Sequence, residues 1–202
     1  MLVALVSVLF VLGACDSGGA NGGDVKNEFS LDITPSSSAS GSFAAKAGRD
    51  TTINGFSFFY SGQNPNGKNV FGLYLSGNES FSPQSVQDGL YGFLARNSTR
   101  PSSGQYNLVG LKQGLDSGNF IGVLYEDFGR AYQDAPFYVP RSGTVRLDTS
   151  SPDKVTGSID LTAYAITFNT AAGTVDSTLV DITGTFTAKN VEDFAPLQTP
   201  SN

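Results

Sequence analysis

Apolar and polar residues alternate along most of this chain with a period of two, the spacing of a half-buried β-strand. Phe29, Leu31 and Ile33 alternate with Ser30, Asp32 and Thr34, and Pro35-Ser36-Ser37-Ser38 then breaks the pattern. Phe43 to Lys46 fits a short strand. Thr51 to Tyr60 is rich in β-formers (Ile53, Phe56, Phe58, Phe59, Tyr60), and the Asn54-Gly55 pair inside it predicts a tight hairpin turn. Asn64-Pro65-Asn66-Gly67 predicts another turn. Val70 to Ser76 alternates again, with Phe71, Leu73 and Leu75 on one face.

Residues 78–97 carry two patterns. Ser82-Pro83 suits a helix start, and Val86, Leu90, Phe93 and Leu94 would share a helical face. Gly89 and Gly92 oppose a helix by roughly 1 kcal/mol each. A short turn near 83–87 followed by a strand from about 89 to 97 is therefore expected. Beyond a loop at 98–104, strands are expected at 105–109, 120–126, 137–139, 144–148, 155–168 and 178–189. In the last of these, Leu179, Asp181, Thr183, Thr185 and Thr187 alternate with Val180, Ile182, Gly184, Phe186 and Ala188. About 8–10 short strands with Gly, Pro and Asn at the turns predict an all-β fold, an antiparallel β-sandwich or β-barrel. A transmembrane barrel shares the alternation, but these strands look shorter and less aromatic at both ends.

A different pattern opens the chain. Met1 to Val11 is an apolar run too short to span a bilayer, which takes about 20 residues, yet of the length of a signal-peptide core. Leu12-Gly13-Ala14 and the single cysteine, Cys15, follow it. This arrangement resembles the lipobox of bacterial lipoproteins. The resemblance implies a diacylglycerol on the Cys15 sulfur, cleavage just before it, and a place in the bacterial cell envelope, facing periplasm or exterior. Signal peptides begin with positive charge, and Leu2 and Val3 supply none, so the natural start is expected upstream or trimmed. A buried strand with a small buried cysteine is the competing reading. The run from Asp16 to Asp24 disfavours it, having no large apolar side chain and the composition of a flexible coil. The expected organisation is a signal peptide over 1–14, lipidated Cys15 and tether over 15–26, a β-domain over 27–189 and a tail over 190–202. Two or more acyl chains hold stably to a bilayer, so retention would need no membrane-binding surface on the domain itself.

Composition narrows the function classes. Lys+Arg is 12 against 18 Asp+Glu, a net charge of −6. Nucleic acid, whose phosphates select clustered cations, is not an expected partner. Docking on anionic lipid through a basic patch is disfavoured for the same reason. Histidine is absent, which removes the commonest general base and metal ligand. Tryptophan is absent too, so a sugar platform would need Tyr or Phe, of which there are 8 and 15.

Pro101-Ser102-Ser103-Gly104-Gln105-Tyr106-Asn107-Leu108, Gly143-Thr144-Val145, Val155-Thr156-Gly157-Ser158-Ile159 and Ile182-Thr183-Gly184-Thr185-Phe186 occur in that order. Together they resemble elements shared by a group of bacterial lipoprotein domains without an established activity. The likeness covers roughly residues 50–188 and implies a β-rich extracytoplasmic domain, with no catalytic residue to carry over. The in-strand glycines are expected at bulges or under aromatic neighbours, and the threonine rows as cross-strand packing. Glu126, Asp127 and Asp134, like Asp148 and Asp153, offer oxygen ligands for Ca²⁺ but lack EF-hand spacing. They are expected as solvated turn carboxylates, with no metal or cofactor called for. Tyr125, Phe128, Tyr132, Phe137 and Tyr138 concentrate aromatics around one connection. They are the candidate ligand site, for a small molecule, glycan or protein, unless they plug a barrel end. The expected function is non-enzymatic binding by a lipid-anchored β-domain. A structural envelope lipoprotein docking through a sheet face is the second reading, and a glycan-acting enzyme the third.

Overall fold

The computed structural model describes residues 27–36, 51–64, 66–77, 90–114, 118–126, 136–169 and 173–191. These residues form β1 (Glu28–Pro35), β2 (Thr51–Gln63), β3 (Asn69–Ser76), β4 (Leu90–Arg96), β5 (Gly104–Val109), β6 (Ile121–Glu126), β7 (Phe137–Ser150), β8 (Lys154–Asn169) and β9 (Thr174–Asn190). A 3-10 turn, Leu111–Gln113, lies between β5 and β6. Strand order is β5-β7-β6-β4-β3-β2-β1-β9-β8, and β8 pairs back onto β7. That last pairing closes eight strands into an antiparallel barrel. Of the two architectures the alternation allowed, the chain adopts the barrel.

Closure follows from the side-chain pattern. Alternate residues of each strand point inward, and through the body of the barrel most of those are apolar: Phe29, Leu31 and Ile33 of β1, Phe71, Leu73 and Leu75 of β3, Val155, Ile159 and Leu161 of β8, Val180, Ile182 and Phe186 of β9. All are buried in one core. Phe71 meets Phe59 at 5.9 Å and Phe120 at 6.0 Å between ring centroids, so rings from β2, β3 and the foot of β6 pack together in the lumen. β5 continues the wall beneath β6. It pairs with Ser142–Leu147 of β7, and its Leu108 bridges to Phe120 in parallel. Tyr106 anchors β5 by donating its hydroxyl to the Ser102 carbonyl at 2.7 Å, with the Arg96 guanidinium 4.5 Å from its ring centroid.

The connections differ between the two ends. At the lower end, Gln63 leads to Asn69 through a turn in which Asn64 Oδ1 accepts from the Asn66 and Lys68 amides, both at 3.0 Å. Ser150 leads to Lys154 through a second tight turn. The upper end carries the passages from β1 to β2, β3 to β4, β6 to β7 and β8 to β9. The expected strand at 43–46, the turn at 83–87, the whole of 1–26 and residues 192–202 lie outside the described residues.

Two expectations are corrected. Asn54-Gly55 is not a turn: β2 runs straight through it, with Asn54 opposite Ser30 and Gly55 opposite Phe29. The glycine is there for proximity, because a Cβ at Gly55 would come within 2.6 Å of Cε1 of Phe29. The strands expected at 137–139 and 144–148 are one strand, β7, with a bulge between Pro140 and Ser142. A bulge is where a strand tolerates a residue without an N–H.

Candidate docking surface

Of the five aromatics expected to form one site, the three that are described are separated by strand alternation. Tyr138 points into the barrel and is fully buried. Its neighbour Phe137 points outward, as does Tyr125. Those two rings stack at 5.8 Å, and Phe137 stacks in turn on Phe168 at 5.6 Å. Phe128 and Tyr132 lie outside the described residues.

Inside the upper end, the Tyr138 hydroxyl donates to Glu126, whose side chain also faces the lumen. Glu126 is only 9% exposed. It is therefore not the solvated turn carboxylate expected of it. A buried carboxylate needs a donor, and the phenol supplies one. Asp148 does lie in solvent, 2.8 Å from Arg146 Nε. Asp127 and Asp134 lie outside the described residues. Among the described residues no three acidic or sulfur side chains gather as a metal site.

The outer wall divides into two regions. On β1, β9 and lower β8 it is hydroxylic and charged. Thr52 donates to Asp32 at 2.5 Å, Thr162 to Asp181 at 2.8 Å, and Thr149 and Thr156 share a hydrogen bond at 2.8 Å. These threonine rows are cross-strand pairs on a solvent face, as expected from the sequence. From β3 round to upper β9 the wall is apolar. One rung runs Tyr91, Tyr125, Phe137, Ile166. On the rung below, Tyr74 and Phe93 lie 4.8 Å apart and Phe93 faces Val123. Farther round that wall Val139, Tyr164 and Leu179 form a rung. At the tip of the β8–β9 hairpin Phe168 faces Val175.

Burial splits this apolar wall again. On β4 and β6 the outward Tyr91, Ala95, Ile121 and Val123 are buried, so both strands are covered on both faces. Burial raises the Tyr74 phenol well above its usual pKa, reinforced by nearby Tyr60. It raises Tyr91 as well, partly offset by a side-chain hydrogen bond with Ser76. Across upper β7, β8 and β9 the outward apolar residues keep contact with solvent. Phe137, Val139, Ile166, Phe168 and Leu179 are half-buried, Tyr164 is exposed, and Val175 is 61% exposed.

The hairpin tip also reverses the polarity of the barrel. Along β8 the inward positions run Ile159, Leu161, Ala163, Ala165 and then Thr167. Along β9 they run Ile182, Val180 and then Thr178, Asp176 and Thr174. Above Ala165 the inward side is therefore polar, and the outward side is apolar except at Ser177. Tyr164, Ile166, Phe168 and Val175 were not singled out from the sequence. A signal was present: Ile166 and Phe168 fall out of phase with Val155, Ile159 and Leu161 on the same strand.

No family model, curated protein or solved structure matches this chain. The likeness to bacterial lipoproteins thus rests on the lipobox-like leader and the strand motifs alone.

Proposed function

We propose that this protein is a non-enzymatic binding barrel of the bacterial cell envelope, tethered by an acylated Cys15, whose binding face is its outer wall rather than its lumen. The observation that supports this reading is the contrast between the two sides of the wall. Phe59, Phe71, Phe120 and Tyr138 occupy the interior and are fully buried, whereas a small-molecule site requires a concave pocket of several hundred Å³. The outer face of upper β7–β9 instead leaves Tyr164 and Val175 in solvent. Exposed apolar patches on soluble proteins mark interaction sites. An apolar lumen is also the reverse of an outer-membrane barrel, whose lumen is polar.

The leader gives the address. Replacing Cys15 by Ser and following labelled palmitate in growing cells tests it. The wild type takes up label and fractionates with membranes, while Cys15→Ser does neither. Absence of label from the wild type overturns the anchor.

A further inference from the structure

We infer that the apolar outer rim of upper β7–β9 rests on a neutral lipid surface, seating the tethered barrel in one orientation on the bilayer that holds it. This extends the anchored reading above: the acyl chains retain the protein, and the rim orients it.

Three observations select lipid over a protein partner. First, among the described residues the rim carries no charge. Its outward positions are Phe137, Val139, Tyr164, Ile166, Phe168, Val175, Ser177 and Leu179, whereas the outward positions just below include Asp160 and Asp181. Tyrosine is suited to the headgroup boundary, and phenylalanine to the apolar face of an interfacial element. A chain of net charge −6 is repelled by anionic lipid, so neutral headgroups are the fitting surface.

Second, where β8 and β9 extend past β7 and β1 the hairpin is two-faced in the sense lipid imposes on strands, with apolar residues on the outward side and polar ones on the other. A protein partner asks only for the outward half of that pattern. Here Thr167 and Asp176 face each other on the inward side, while Phe168 and Val175 face each other on the outward side.

Third, the dimensions fit a surface and not a span. The apolar rungs of the rim are three, at Val139–Tyr164–Leu179, Phe137–Ile166 and Phe168–Val175. Rungs two residues apart lie ~6.6 Å apart along a strand. With the usual barrel tilt, three rungs cover roughly 10 Å of height. That matches the ~5–10 Å burial of interfacial elements and falls far short of the ~30 Å hydrocarbon core. The tether permits the contact. Residues 16–27 lead to β1, which starts at the lower end, and fully extended they reach about 40 Å. An attached barrel thus meets the bilayer at high effective concentration.

The chain has no tryptophan, so a single introduced indole reports its own surroundings. Val175→Trp places it on the rim and Thr185→Trp on the polar wall, both at exposed positions. The full-length protein is reconstituted into phosphatidylcholine vesicles containing brominated acyl chains. The rim indole is expected to shift to shorter wavelength and lose most of its emission to bromine, while the polar-wall indole does neither. Adding Tyr164→Asp to Val175→Trp restores the emission while the chain stays with the vesicles. Equal quenching at the two positions overturns the inference. So does a blue shift at position 175 without vesicles that grows with protein concentration, since the rim is then covered by a second copy. Failure of the anchor appears separately, as wild-type protein that takes up no palmitate and does not float with the vesicles, whereas failure of the rim reading leaves an anchored protein whose indoles at 175 and 185 are quenched alike.

Discussion

At the scale of single residues, stability depends on a few close approaches and buried polar atoms. Gly157 sits under the Phe186 ring and against the Arg146 carbonyl. A Cβ there would lie 2.9 Å from Cζ of Phe186 and overlap the Arg146 oxygen. Gly157→Ala is expected to destabilise by about 1–3 kcal/mol, read as a lower urea midpoint at unchanged slope. Tyr138→Phe removes a donor from buried Glu126 and should cost about 1–3 kcal/mol. Adding Glu126→Gln, whose amide can itself donate, should recover part of that loss in a double-mutant cycle. The raised phenols of Tyr74 and Tyr91 predict a pH dependence. A folded-state pKa above the unfolded value of about 10 gives stability that is complete below pH 10 and lost as pH rises past it. For a single phenol still protonated in the folded state the loss approaches about 1.4 kcal/mol per pH unit. Denaturant titrations from pH 8 to 11.5 should show the decline in the wild type and a flatter profile in Tyr74→Phe.

At the scale of elements, what could be read in advance depended on whether one face of a strand stays dry. β1, β3 and β8 alternate cleanly because one side of each meets the core, and their inward residues were legible as Phe29-Leu31-Ile33, Phe71-Leu73-Leu75 and Val155-Ile159-Leu161. β4 matches the strand expected from about 89 to 97, but that strand competes with a helical pattern because burial on both faces erases alternation. Asn54-Gly55 imitated a hairpin because local turn chemistry cannot register that Phe29, more than twenty residues away, needs a glycine opposite it. Pro140 interrupts the strand pattern of β7 because the bulge that accommodates it is defined only against the partner strand. The candidate site was half legible. Tyr125 and Phe137 are on the apolar wall, but their stacking with Phe168 is a cross-strand relation that single-strand reading misses. The β8–β9 hairpin is expected to be unevenly stable. Its lower rungs, from Thr156 to Ala163, have neighbours on both sides, whereas Thr167–Asn169 extend past the last β7 partner and Thr174–Thr178 past β1. Amide exchange should be slowest at Ile159 and Ile182 and faster by orders of magnitude at Phe168 and Val175.

At the scale of the whole molecule, the barrel has two unlike sides. One wall is covered with threonine, serine and carboxylates, the other with aromatic and branched apolar residues. Such asymmetry predicts that charge added on one side is tolerated and on the other is felt in binding. Thr183→Lys or Thr185→Lys should leave the fold intact, with stability changes of about 0.5 kcal/mol or less by urea denaturation. Val175→Lys should be equally mild for stability and should leave the acylated chain floating with neutral vesicles, but with a reporter indole at Tyr164→Trp it should cut quenching by brominated lipid several-fold. The closure of the barrel carries a further consequence. β1, the first strand described, takes its place between β2 and β9, the last, with Phe29 opposite Phe186. Contacts so distant along a chain form slowly. A ribosome or translocation pore delivering this polypeptide from its amino end would therefore release β1 with one edge unsatisfied until almost every residue had emerged, and for that interval the exposed edge of Phe29, Leu31 and Ile33 is a target for chaperones and a seed for aggregation.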